Sequence, residues 1–269
     1  MDKSYGINNQ SKVTSKEEEY LEEFKINGFT IINDVLSEKE LNATRLKLDE
    51  LNIFQTKEFS LENLTKINEL NMVRCPFLYD DYFLQIATQP VIASLVKLIL
   101  GEYYILHLQN GVINMPHEEH HQRSWHRDLP YQNFEISNPL AVSALFCIDE
   151  FSESTGGTIV LPFSHHIEQL PSNTFIEKNK KQVCAKAGSV ILFDSMLLHK
   201  AGNNNSSRAR RGINNMFVKP ILKQQINIPK ALNGKFSDDP FLSKFLGYES
   251  MVPDSVVEWR NGRLNKMKK

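Results

Sequence analysis

The chain has 269 residues, enough for one substantial domain or two small ones, and its 41% hydrophobic and 23% charged residues are the proportions of an ordinary globular protein. A formal net charge of −1 leaves no cationic footprint for nucleic acid, and the one concentrated basic run, Arg208-Ala209-Arg210-Arg211, is too short to make one. No apolar stretch approaches the roughly 18 residues that span a bilayer, and the opening Met1-Asp2-Lys3-Ser4-Tyr5-Gly6 has no apolar region of a signal peptide.

The expectation is a soluble, cytoplasmic protein, monomer or homodimer, acting on a small molecule rather than on nucleic acid or a membrane. Cys75, Cys147 and Cys184 are widely spaced, form no CxxC pair and lie among apolar or strand-forming residues. Buried, reduced thiols are expected, in keeping with a reducing compartment.

Residues 1–14 are polar and mixed and read as an unstructured lead-in. Lys16 to Phe24 forms a charged helix that leads through Gly28 into a short extended run, Phe29-Thr30-Ile31-Ile32. Ser37-Glu38-Lys39-Glu40 is a capping box: the Ser37 hydroxyl takes the amide of Glu40, whose carboxylate reaches back to the amide of Ser37. Leu36 and Leu41 stand at the staple positions around that cap, and Leu41, Leu46 and Leu48 continue an apolar face, so a helix is predicted over about 38–52. A second helix covers about 81–99 through Tyr82, Phe83, Ile86, Ile92, Leu95 and Val96, with Pro90 as a break and restart and Gly101 as the stop.

From residue 103 the texture changes. Short apolar runs recur at 103–108, 112–115, 140–148, 158–162, 183–185, 189–194 and 212–218, separated by turn-forming residues. Many short strands without intervening helices point to an all-β core, a sandwich or a closed barrel. One domain over 15–269 is preferred to two, with a helical part (15–101) buttressing a β-core (102–228) and a C-terminal extension (229–269). Pro229, Pro240 and Pro253 break up the extension, and a short helix at about 254–266 carrying Trp259 is expected to pack back onto the core. Asn203-Asn204-Asn205-Ser206-Ser207 reads as a surface loop.

Eight histidines are placed unevenly along the chain, and one of them opens His126-Arg127-Asp128. In an extended segment residues i and i+2 share a face, so this imidazole and carboxylate can grip one ion together. Alone, H-x-D is a weak motif, and a surface hydrogen bond or an ion pair with Arg127 or Arg123 accounts for it more readily. A third ligand from another strand would complete a 2-His-1-carboxylate triad with three open positions, two for a bidentate 2-oxoacid and one for dioxygen. Gly188 feeds the apolar strand Ser189–Asp194, and His199 follows it. Eleven residues further on, Arg210 opens another apolar strand. A buried guanidinium offers a planar fork that matches the distal carboxylate of 2-oxoglutarate. Alternation puts Arg210 and Arg211 on opposite faces, so only one points inward, and Arg208 and Arg211 suit a charged pre-strand turn. His117, His120 and His121, beside Glu118 and Glu119, read as a solvated loop at the mouth of the site.

Taken together these residues resemble the phytanoyl-CoA dioxygenase family. His126, Asp128, His199 and Arg210 fall in the family's order, with its His-to-Arg spacing. Gly156-Gly157-Thr158-Ile159-Val160-Leu161-Pro162-Phe163-Ser164-His165 is similar to a family strand and turn, and Glu23-Phe24 to Leu48 resembles its opening helix–strand–helix, so the likeness covers most of 16–220. The resemblance implies a mainly β fold with flanking α: a double-stranded β-helix (jelly-roll, cupin-like) core buttressed by N-terminal helices. It implies iron(II) on His126, Asp128 and His199, 2-oxoglutarate anchored by Arg210, dioxygen, and hydroxylation with release of succinate and carbon dioxide. Loops at 117–124 and 163–180 would be lids.

On the strand before H-x-D, Asn114 and Gln109 are candidates to bind 2-oxoglutarate, with strand-end pairing to backbone as the alternative. Tyr131 and Gln132, just beyond the metal segment, would stand near a substrate, and His165 takes a structural turn position. There are departures. Phe163 replaces the usual turn Gly, and Ala201 stands where many members place Ser. The intact Asp128 favours hydroxylation over halogenation, which needs a small residue there. No Lys or Arg cluster suited to coenzyme A phosphates is visible, and the polar, histidine-rich loops favour a polar metabolite or a carbohydrate or natural-product intermediate. Two rivals remain: a β-barrel isomerase or hydrolase using the same ligands, which gives Arg210 no role, and a binding protein without turnover, which predicts a broken ligand set.

Overall fold

The computed structural model describes residues 9–118, 120–129 and 138–267. Of the lead-in, 1–8 lie outside the described residues and 9–14 carry no helix or strand. Helix α1 (Lys16–Asn27) starts at a capping box of Ser15 and Glu18 and ends at Gly28, whose φ of 84° closes the helix onto Phe24 O. A Cβ on Gly28 would also stand 2.5 Å from His165 Nδ1. Strand β1 (Phe29–Ile32) follows. Helix α2 (Glu38–Phe59) begins at the Ser37–Glu40 box and runs a further two turns beyond the expected end. Leu41 and Leu48 are buried, but Leu46 is 67% exposed: five residues on from Leu41 it lies off the apolar stripe, correcting the predicted face. Then come α3 (Leu61–Lys66), β2 (Met72–Arg74), α4 (Tyr82–Ala87) and α5 (Pro90–Leu100), with Pro90 in the first turn of α5.

The rest is mainly strand: β3 (Ile105–Asn114), β4 (Ala141–Cys147), β5 (Ile159–Val160), α6 (Asn173–Asn179), β6 (Lys181–Gln182), β7 (Val190–Asp194), β8 (His199–Lys200) and β9 (Arg210–Val218). They form two antiparallel sheets, of order β1-β7-β4-β9-β3-β2 and β6-β5-β8. The predicted runs at 103–108 and 112–115 are one strand, β3. Gly111 sits within it because Leu48 of α2 packs 2.5 Å from where a Cβ would stand. Strands β2 and β8 are too short for any periodicity to announce them.

The larger sheet is buried on both faces, which is why its strands read as continuous apolar runs. Val142, Ala144, Phe146, Val190, Leu192, Ile213 and Phe217 pack in one core with Leu48, Phe83, Ile92 and Leu95 of the helices. Leu145, Cys147, Ile191 and Phe193 face inward and pack with Phe151, Val160 and Val183. This is the jelly-roll with helical backing. Because β1 pairs with β7, the helical part and the β-core share one sheet and one core. At the other edge, the Gln55 amide of α2 bonds both the N–H and the carbonyl of Arg74, at 2.8 and 2.7 Å, covering β2 where a further strand would add.

Three smaller expectations are corrected. Cys75 and Cys147 are buried, but Cys184 is exposed. Asn204, assigned to a surface loop, is 1% exposed and donates to the carbonyls of Asn114 and Arg208. Helix α9 (Val256–Met267), after α7 (Ile228–Leu232) and α8 (Pro240–Phe245), is where the sequence puts it; its Trp259, however, stands half-exposed beside Arg263 rather than against the core. No described helix is long and apolar enough to cross a membrane.

Phe163 adopts φ 66°, the left-handed region that costs a side chain with a Cβ about 1–2 kcal/mol, and its ring is 53% exposed, so little packing is lost with it. After the entropy that glycine itself loses on folding, Phe163→Gly is expected to stabilise the protein by about 1 kcal/mol, or ~2–4 °C in Tm. A thermal melt showing no gain would mean that the ring holds the turn.

Candidate metal centre

The turn after β7 brings the two histidine segments together. His126 and His199 form an isolated antiparallel bridge, His126 N donating to His199 O (3.0 Å) and His199 N to His126 O (3.1 Å). Asp128 N donates to Ser195 O at 3.0 Å, which continues the extended path and turns Asp128 to the same side as His126. One ligand atom from each of His126, Asp128 and His199 lies within 4.8 Å of the others, the spread that three ligands around one ion require. His126 Nδ1 donates to Ser124 O and His199 Nδ1 to Leu197 O, both at 2.9 Å, which leaves Nε2 of each ring as the atom available to an ion once it is deprotonated. His199 Nε2 is 3.4 Å from Asp128 Oδ1.

The donor set fits a first-row divalent ion of the iron type: two imidazoles and one carboxylate on one side, with the other side open to a cavity. Burial would raise the Asp128 carboxyl, but His199 and His126, with hydrogen bonds from His199 and Ser143, hold it well below the usual carboxylate range. Burial works to lower His199, and the Asp128 charge and hydrogen bond outweigh it, leaving its pKa raised. Both shifts come from the same contact, the Asp128 carboxylate against the His199 imidazole.

The cavity, of about 230 Å³, extends from the triad to Arg210. Arg210 is 2% exposed and lies flat over Phe151, 4.1 Å from the ring centre. Its Nε is buried without an acceptor, and no carboxylate pairs with it among the described residues. Burial lowers its pKa to about 10, so it stays protonated at neutral pH. A buried, unpaired guanidinium is costly, and an anionic ligand is what would compensate it. Arg211, one residue on, turns to the opposite face and grips Asp49 with both ends of its fork at 2.8 Å.

The sequence matches the phytanoyl-CoA dioxygenase (PhyH) family over residues 24–212, which include both histidine segments and Arg210. The chain belongs to the phytanoyl-CoA dioxygenase family. It is thereby a non-haem iron, 2-oxoglutarate-dependent oxygenase in class. An uncharacterized protein of Mycobacterium tuberculosis is 36% identical over 240 residues, covering 86% of this chain and 87% of that one. The ectoine dioxygenase of Nocardia farcinica is 24% identical over 228 residues, covering 72% and 75%. Among solved structures, the non-haem alpha-ketoglutarate-dependent epimerase SnoN from nogalamycin biosynthesis superposes with a TM-score of 0.61 at 15% identity, over 76% of this chain and 83% of that one. At that identity the likeness establishes the fold alone.

In this phytanoyl-CoA dioxygenase homologue a buried brace orients Asp128. Its Oδ2 accepts from Ser143 Oγ (2.5 Å) and Asn214 Nδ2 (3.0 Å), and Ser143 is held in turn by Ser195 Oγ at 2.9 Å. With Oδ2 occupied, Oδ1 is left to face the ion. Such outer partners fix ligand geometry, and losing one typically costs ~10–100-fold in metal affinity. Asn214→Leu, which keeps the shape and removes the donor, is therefore expected to weaken manganese(II) or iron(II) binding by about that factor. Wild-type affinity in a calorimetric titration would mean that Asp128 needs no brace. Sequence reading missed both residues. Asn214 could have been found by counting four along the strand from Arg210, and Ser143 as the lone hydroxyl in an apolar run.

Other candidates land differently. Leu108, Asn110 and Val112 of β3 line the cavity. Gln109 therefore faces the helices, where it accepts from Phe77 N and donates to Phe83 O and Asn215 Oδ1. It is a core polar residue of the helix–sheet layer, not a 2-oxoglutarate contact. Asn114 pairs in register with Arg210 but spends its amide on Gly202 O at 2.9 Å, tying β3 to the loop after β8. Asn110 and Arg74, side by side on β3 and β2, reach the cavity instead. His165 is buried against α1, its Nε2 3.3 Å from Lys25 O, and burial takes its pKa down to about 4, as suits a neutral structural ring. His120 is buried, its Nδ1 accepting from Gln122 N, rather than solvated. Tyr131 and Gln132 lie outside the described residues.

Proposed function

We propose that the protein hydroxylates an unactivated C–H bond of a small polar metabolite, of carbohydrate or natural-product type, using iron(II), 2-oxoglutarate and dioxygen and releasing succinate and carbon dioxide. His126, Asp128 and His199 hold the iron, and Arg210 takes the distal carboxylate of 2-oxoglutarate, with Thr158 beside it on the cavity wall. The observation that carries this reading is Arg210: a buried cation with an unsatisfied Nε and no carboxylate partner among the described residues, opening onto the same cavity as the three ligands. An isomerase or hydrolase built on these ligands gives that cation nothing to bind.

Iron held by His126, Asp128 and His199 would supply the oxidising chemistry for attack on the C–H bond, at the expense of 2-oxoglutarate and dioxygen. The chain supplies the rest. Nδ1 contacts and the Ser143–Asn214 brace fix three ligands on one side, Arg210 fixes the co-substrate, and Leu108, Val112, Leu145, Phe193 and Met216 provide apolar wall that limits water. With Asp128 in place, the position that a halide would need is taken, which supports hydroxylation. A monomer or homodimer in a reducing cytoplasm is the setting we infer from the unpaired cysteines. Succinate release with iron(II) and 2-oxoglutarate, measured across a metabolite panel, tests the reading. Absence of both uncoupled and substrate-dependent turnover in protein that binds iron would favour a binding protein instead.

A further inference from the structure

We infer that His107 is a specificity-determining residue: its imidazole meets a hydroxyl group of a largely apolar substrate, on the side of the metal away from Arg210. This rests on the reading of the cavity as the oxygenase site, and it selects the natural-product type of substrate over the sugar. Strand β3 carries one residue too many for its partner. Leu106 pairs with Phe217 and the next pair is Leu108 with Met216, which leaves His107 opposite nothing on β9. Such a bulge re-aims a side chain, and bulges gather next to active sites. Leu106 and Phe217 pack with the helices, whereas Leu108 and Met216 line the cavity. The charge of Asp128 reaches the His107 ring, which puts the ring toward the metal rather than among the helices.

Along β9 the cavity wall runs from Arg210, past Asn214 on Asp128, to Met216 beside Leu108. With 2-oxoglutarate on the Arg210 side of the metal, the Met216 end is left to the substrate. His107 is 4% exposed there, and its Nδ1 is buried without a hydrogen-bond partner. Buried polar groups are nearly always paired, so one left open beside a cavity is a group for a ligand to satisfy. Burial takes the ring's pKa down to about 4 against the pull of Asp128, so it is neutral. A neutral imidazole offers one N–H, one lone pair and no charge. That matches a hydroxyl, which donates and accepts, and not a carboxylate or a phosphate. The surroundings set the rest of the molecule. Ile105, Leu129, Ala141, Met216 and Val218 form an apolar cluster at this end, suited to a hydrocarbon skeleton.

Anaerobic protein loaded with iron(II) and 2-oxoglutarate is titrated calorimetrically with cyclohexanol and with fluorocyclohexane, which has a similar shape and no hydroxyl. The pair 1-hexanol and 1-fluorohexane repeats the comparison on an open chain. At least one alcohol is expected to bind about tenfold or more tightly than its fluoride. His107→Phe, which keeps a ring and removes both nitrogens, should erase that preference. His107→Asn, whose amide restores a donor and an acceptor, should retain it within about threefold. Free His107→Phe protein should melt no lower than the wild type, because the nitrogen it removes is unsatisfied. His107→Leu carries the same expectations should His107→Phe fail to fold. Equal affinity for alcohols and fluorides in the wild type, or a preference that survives His107→Phe, overturns the proposal. A fall in iron(II) affinity in His107→Phe would assign the ring to Asp128 and overturn it as well. Iron(II) and 2-oxoglutarate binding to the wild type is measured first. Its absence removes the oxygenase reading together with this one, whereas its presence without an alcohol preference removes only the role of His107.

Discussion

His199→Ala is expected to abolish iron binding. Three protein ligands leave no redundancy, and His199 Nε2 stands 3.4 Å from Asp128 Oδ1, with its ring 4.3 Å from that of His126. Loss of an inner ligand should exceed the ~100-fold that loss of an outer-shell partner can cost, so binding is expected to fall below detection at micromolar protein. The backbone bridge between residues 126 and 199 uses N–H and C=O groups that alanine keeps, so the fold around the site should persist. Calorimetric titration with manganese(II), or with iron(II) under anaerobic conditions, reads the result, with circular dichroism confirming the fold. Unchanged affinity would overturn the ligand assignment outright.

Arg210→Met gives the second large effect, and it carries two opposite signs. Removing one partner of a buried, hydrogen-bonded charge pair typically costs ~2–5 kcal/mol of binding, so 2-oxoglutarate affinity is expected to fall by roughly 30- to 4,000-fold. Iron affinity without co-substrate should stay the same, because Arg210 touches none of the three ligands. The free protein, in contrast, is expected to become more stable. In the absence of a ligand Arg210 is a buried cation with an unsatisfied Nε, and methionine fills the space over Phe151 without that cost. A melting temperature that rises while 2-oxoglutarate binding collapses separates a ligand anchor from a structural arginine, whose loss would lower both. Lysine should not restore affinity, since it lacks the planar fork.

Much of this was legible along the chain. The Ser37–Glu40 box started its helix where the pattern required, because capping is a local contest between four residues. Pro90 opened α5 and Gly101 ended it for equally local reasons. The order of His126, Asp128, His199 and Arg210 suggested a metal site with an anion anchor, and alternation along β9 correctly allowed only one of Arg210 and Arg211 to turn inward. Local rules failed where the partner lies far along the chain. Gln109 and Asn110 looked equivalent, and which faced the cavity depended on how β3 was laid between the helices and the second sheet. Cys184 and Trp259 looked like core residues and are exposed, because nothing in their own segments says whether another element covers them.

The caps, the apolar runs, the class of donor atoms and their order can all be read along the chain. Those properties depend on residue type and on contacts a few positions apart. The bridge between His126 and His199, 73 residues apart, and the hold of Ser143 and Asn214 on Asp128 arise only when the chain is folded. Long-range pairing is set by burying both faces of the larger sheet at once. No stretch of chain encodes that by itself, because each face is completed by residues from elsewhere.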